Sequence, residues 1–93
     1  MSVAVTRVPT AHASRYLQQL CKHWSHKFPV EFTPDNGRIE MSAGVLILDA
    51  DAESLGLQLT AEPDNLERME GVVADHLKRF AFREELVFDW KPA

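Results

Sequence analysis

The spacing of apolar residues changes along this chain, and each change marks an element. From Ser2 to Val8 apolar and polar positions alternate, with Val3 and Val5 on one face, which predicts a strand. Between Thr10 and Pro29 the period lengthens. Ala13, Tyr16, Leu17, Leu20, Cys21 and Trp24 fall within roughly one 140° arc when residues sit about 100° apart on a helix. Thr10 is placed to cap this helix, and Pro29 cannot continue it.

The period then returns to two. Val30 and Phe32, Ile39 and Met41, Val45 to Leu48, and Leu55, Leu57 and Leu59 form four short runs. They are separated by Pro-Asp-Asn-Gly at 34–37, by Ser-Ala-Gly and by Asp-Ala-Asp-Ala, which predicts a four-strand antiparallel meander. The strict alternation of residues 55–60 predicts one buried and one wetter sheet face. Asp64 and Glu67 have capping-box spacing for a second helix running to about Phe80. Its core face carries Leu66, Met69, Val72, Val73, His76, Leu77 and Phe80, and Lys78, Arg79 and Arg83 lie near its negative end. Gly71 lowers helix propensity by about 1 kcal/mol and predicts a close approach by another element or a ligand. Leu86, Phe88 and Trp90 predict a closing strand. The order strand, helix, four-strand meander, helix, strand defines an α+β fold: a two-layer sandwich with both helices on one face of an antiparallel sheet.

Length and composition fit one soluble domain covering residues 1–93, with 45% hydrophobic and 26% charged residues. A core of this size has little surplus stability, so a homodimer is a reasonable aid to it. The longest apolar run, Val45 to Leu48, is far too short to span a membrane, and Met1 to Thr10 does not read as a signal peptide. With the lone Cys21 unable to form an internal disulfide, a cytoplasmic location is expected. The net charge of -4 argues against nucleic acid as a partner. Its distribution says more. Residues 1–30 contain Arg7, Arg15, Lys22 and Lys27 without one acid, so this third carries +4 against -8 for the rest. Such a polarity either attracts an anionic ligand or acidic partner, or is satisfied internally by acids of the later strands.

Candidate chemistry concentrates in Cys21-Lys-His-Trp-Ser-His-Lys-Phe28. His23 and His26, three apart, are neighbours on a helix and suit a divalent metal ion, with His76, Glu84 or Glu85, or a second chain, completing the shell. His12 lies about 16 Å away along the helix and cannot join them. Cys21 and His23 project about 160° apart, which excludes a catalytic dyad and leaves Cys21 a small buried hydrophobe. His76, in the middle of a core face, should bond a backbone carbonyl or Tyr16. No phosphate-cradling glycine loop, zinc ribbon or helical H-E-x-x-H is present, so no catalytic residue is assigned.

Two blocks, His23-Trp-Ser-His-Lys27 preceded by Tyr16, Leu17 and Leu20, and His76-Leu-Lys-Arg-Phe-Ala-Phe-Arg-Glu84 with a closing Trp90, carry a resemblance. On them the chain resembles the bacterial domain-of-unknown-function family 2218 over nearly its whole length. The resemblance implies a small bacterial protein found alone or joined to flavin-binding, siderophore-interacting reductase-like domains, and hence a setting in iron acquisition. The expected function is a non-enzymatic binding module. Arg15, Lys22, His23, His26, Lys27 and Arg83 would meet a ferric siderophore or a siderophore-interacting reductase. The alternatives are a metal-binding protein and a purely structural homodimer.

Overall fold

Alternation in the sequence becomes two faces of one sheet. The computed structural model describes residues 1–93. It contains β1 (Ser2–Pro9), α1 (Ala13–Trp24), β2 (Val30–Phe32), β3 (Asn36–Met41), β4 (Gly44–Ala50), β5 (Ser54–Ala61), α2 (Pro63–Phe80) and β6 (Lys91–Pro92). The strands form one antiparallel sheet in the order β2-β3-β4-β5-β1-β6. The meander therefore holds, and β1 closes it by pairing along all eight residues with β5, from Ser2↔Ala61 to Pro9↔Ser54.

Both helices cover one face. Val8, Ile39, Leu46, Leu48, Leu55 and Leu59 meet Leu17, Leu20 and Cys21 of α1 and Val73 and Leu77 of α2 in one core, all without exposure. Each such aliphatic side chain contributes about 1.5–3 kcal/mol by leaving water. Gly37 sits beneath α1, where a β-carbon would come within 2.9 Å of Cys21 Sγ. Burial pushes the Cys21 thiol up to about 11, in keeping with a packing role.

The opposite face is open. Register places Val5, Gln58, Ile47 and Arg38 in one row across it and Arg7, Gly56, Asp49 and Asn36 in the next. Gly56 has no side chain, and the Arg7–Asp49 ion pair, 2.6 Å long, occupies the space its β-carbon would need. Arg7 also reaches Ser54 Oγ at 2.8 Å and Asp51 at 3.4 Å.

Five local expectations are corrected. His12, not Thr10, is the residue before α1, and Thr10 Oγ1 instead accepts the His12 N–H at 3.1 Å. The first meander turn lies earlier than 34–37, closed by Thr33 N–H to the Asn36 carbonyl at 2.7 Å, so Asn36 and Gly37 already belong to β3. Pro63 suits the first helical position, which puts Asp64 inside the first turn of α2 and leaves no capping box with Glu67. Gly71 faces open space, with nothing within 4 Å of where a β-carbon would sit. Residues 86–90 are not a strand. Leu86 plugs the core, Phe88 and Trp90 stack at 6.4 Å, and the Asp89 N–H bonds the Thr6 hydroxyl instead of a neighbouring carbonyl. Only Lys91 and Pro92 pair, opposite Val5 and Ala4, and Pro92 has no N–H with which to extend the ladder.

Candidate functional site

The polar flank of α1 is divided by its neighbour α2. Its first half faces the segment that leaves α2, and its last half meets α2 itself. At the first half the surface opens into a groove of about 600 Å³, lined by His12, Arg15 and Tyr16 from one side and by Phe80, Phe82 and Arg83 from the other. Arg15 and Arg83, far apart in sequence, thus line one cleft, while Lys22, His23, His26 and Lys27 of the expected binding set do not. Neither has a carboxylate within 4.0 Å. Phe82 is 80% exposed, and the Arg83 guanidinium carbon lies 5.3 Å from its ring centroid. The exposed ring and the Arg83 guanidinium form a cation–π pair at the mouth of the cleft.

Glu84 forms the wall that joins the two segments. Its carboxylate accepts the Thr10 hydroxyl at 3.0 Å and the Tyr16 hydroxyl. The Tyr16 bond holds the Glu84 carboxyl below its ordinary value, helped by Thr10 and the nearby His12 charge and opposed by partial burial. Tyr16 is pushed up, first by burial and then by the same carboxylate, so its hydroxyl stays protonated as the donor. Two guanidinium groups against one bonded carboxylate leave the groove net positive. The residues the sequence reading missed here are His12, Tyr16, Phe80 and Phe82. Phe82 carried a signal, since it falls outside the apolar face of α2 yet follows it directly.

The other predicted residues lie elsewhere. Lys22 and Lys27 are exposed near the far end of α1, and Lys27 Nζ lies 5.8 Å from the Phe28 ring centroid. Neither lysine has an ion-pair partner, so of the four cations in the first thirty residues only Arg7 is satisfied internally. Of the four candidate metal ligands, His23 and His76 come together, with ring centroids 5.4 Å apart. His26 lies in the turn after α1, and Glu84 is committed to Thr10 and Tyr16. No three histidine, cysteine, aspartate or glutamate side chains gather to hold an ion. His76 is half-buried, and its Nδ1 bonds the Val72 carbonyl at 2.8 Å, one of the two partners expected for it.

A second groove, of about 520 Å³, crosses the open sheet face at Arg7 and Asp49. Its charges are already paired with each other, so it offers an ionic ligand less than the cleft at Arg15 and Arg83. No helix is long and apolar enough to cross a membrane.

A sheet of six antiparallel strands with two helices on one face defines a small α+β protein, with a cationic cleft where the first helix meets the exit of the second. The chain belongs to the family described as uncharacterized protein conserved in bacteria, DUF2218, whose profile matches residues 5–91. It is similar to PA4090 from Pseudomonas aeruginosa, solved by NMR, with 41% identity and a TM-score of 0.82, over 100% of this chain and 98% of that one. No curated protein matches it.

Proposed function

We propose that this protein is a non-enzymatic binding module, and that its cleft takes an anionic ligand with a flat apolar body. The observation that carries the reading is the meeting of Arg15 and Arg83, both without carboxylate partners, beside the exposed ring of Phe82. Guanidinium groups bind carboxylates and comparable oxyanions through paired donors, while the rings supply apolar contact and cation–π support. Tyr16 and Glu84 serve as scaffold, because their polar atoms are bonded to each other.

The resemblance to siderophore-associated proteins nominates ferric siderophores as ligands and a siderophore-interacting reductase as a protein partner. Calorimetric titration of tag-free protein with ferric catecholate and hydroxamate siderophores, and with such a reductase, tests both. Arg15→Glu/Arg83→Glu should weaken binding at least about ten-fold, since hydrogen bonds to charged groups are worth about 1.5–3 kcal/mol each. Lys22→Glu/Lys27→Glu should leave it nearly unchanged. Equal affinity in wild type and Arg15→Glu/Arg83→Glu would refute the reading. If that result came with a concentration-dependent dimer, the structural homodimer would replace it.

A further inference from the structure

The geometry points to a two-imidazole metal site formed by His23 and His76, able to hold a late first-row divalent cation with its remaining positions open to water or an outside ligand. His23 stands exposed near the end of α1 and His76 half-buried near the end of α2, so the site exists only where the two helices are packed together. Three observations support it.

The first is spacing. Imidazole nitrogens bind such ions at about 2.0–2.1 Å, which puts each ring centroid about 3.2 Å from the metal. Two rings on one ion at the tetrahedral angle then lie about 5.2 Å apart by centroid. The observed separation is 5.4 Å, with the planes inclined at 48°. The centroid spacing therefore matches that of two rings sharing an ion.

The second is the tautomer of His76. Its Nδ1 faces the Val72 carbonyl at 2.8 Å, and a carbonyl oxygen can only accept. Nδ1 therefore carries the proton, and Nε2 of the neutral ring keeps its lone pair. A ligating histidine typically has this arrangement, with the non-ligating N–H fixed on a backbone carbonyl.

The third is packing. Trp24 lies 4.9 Å from His76 and Phe80 5.9 Å from His23, measured between ring centroids, and these neighbours limit the freedom of both imidazoles. A preorganised pair loses less entropy on binding. No third protein ligand joins it, so coordination stays incomplete. Imidazole donors favour copper, nickel and zinc, and the Irving–Williams order puts Cu(II) first.

The test uses tag-free full-length protein titrated separately with Cu(II), Ni(II) and Zn(II), followed by calorimetry and, for Zn(II), by imidazole nitrogen resonances. One saturable ion per chain is expected, with affinity in the order Cu(II), then Ni(II) and Zn(II). With Zn(II), Nε2 of His76 should shift while its protonated Nδ1 does not. His23→Gln should weaken binding at least ten-fold, and because His23 is exposed this variant should fold. His76→Gln should do the same, and His26→Ala should bind as wild type. Unchanged affinity in His23→Gln, loss of binding in His26→Ala, or no saturable binding by the wild type would each overturn the site. None of these outcomes bears on the cleft at Arg15 and Arg83, whose residues are untouched.

Discussion

Glu84 is the residue on which the cleft depends most. Its carboxylate ties α1 to the segment leaving α2 through Thr10 and Tyr16. Tyr16→Phe removes one donor and should lower stability by about 1 kcal/mol, measured by urea unfolding. The effect should depend on pH. Glu84 titrates lower in the folded chain than its ordinary value of 4.5, so the folded state binds its proton less readily than the unfolded state does. The resulting stabilisation is fully present above about pH 4.5 and is lost as pH falls through the folded value. Tyr16→Phe should therefore differ from wild type near neutrality, and the difference should shrink in acid. A gap that stayed constant down to pH 2 would show that packing of the ring, not the carboxylate bond, sets the loss. The role of Glu84 could not be read from its neighbours in sequence, because its partners lie 74 and 68 residues away.

At the scale of elements, three glycines behave differently for reasons that local sequence does not reveal. Gly71 lies in open space on α2, so Gly71→Ala should stabilise the protein by about 0.5–1 kcal/mol through helix propensity alone. Gly44 begins β4 where a β-carbon would collide with the Thr60 backbone carbonyl, which cannot move aside cheaply. Gly44→Ala should cost about 1–3 kcal/mol. At Gly56 the obstructing atoms are the flexible ends of Arg7 and Asp49. Gly56→Ala should break that half-exposed ion pair at a cost of no more than about 1 kcal/mol. Thermal unfolding of the three variants checks the order. The helices, the meander and the buried face were legible because each rests on a period of two or 3.6 with several residues in phase. Residues 86–90 misled because Leu86, Phe88 and Trp90 alternate for a different purpose, which is to fill gaps along the edge of the core as the chain returns from α2 to β1. The helix starts misled because Thr10 and Pro63 shifted each boundary by a residue or two.

For the whole molecule, the acid-free first thirty residues are not one basic surface. Folding neutralises Arg7 on the open sheet face, gives Arg15 to the cleft, and leaves Lys22 and Lys27 at the far end of α1. The sequence placed Arg15 and Arg83 in one binding set with Lys22, His23, His26 and Lys27, and the antiparallel return of α2 alongside α1 brings only those two arginines to the same cleft. The same packing brings His23 to His76 instead of to its near neighbour in sequence, His26. Because the cleft is open to solvent, its affinity for an anion should fall as ionic strength rises, most steeply below about 0.15 M, where the screening length has already shortened to roughly 8 Å. Binding that is insensitive to salt would mean that the rings, not the guanidinium groups, carry it.

The cleft is tested most directly by a ¹H–¹⁵N titration of tag-free protein with benzoate, a plain flat carboxylate, alongside Arg15→Glu/Arg83→Glu. Saturable shifts confined to residues 11–19 and 80–84, absent in the variant, are the predicted result. Shifts centred on residues 22–27, shifts that persist in the variant, or none at all would contradict the assignment of the cleft as the binding site.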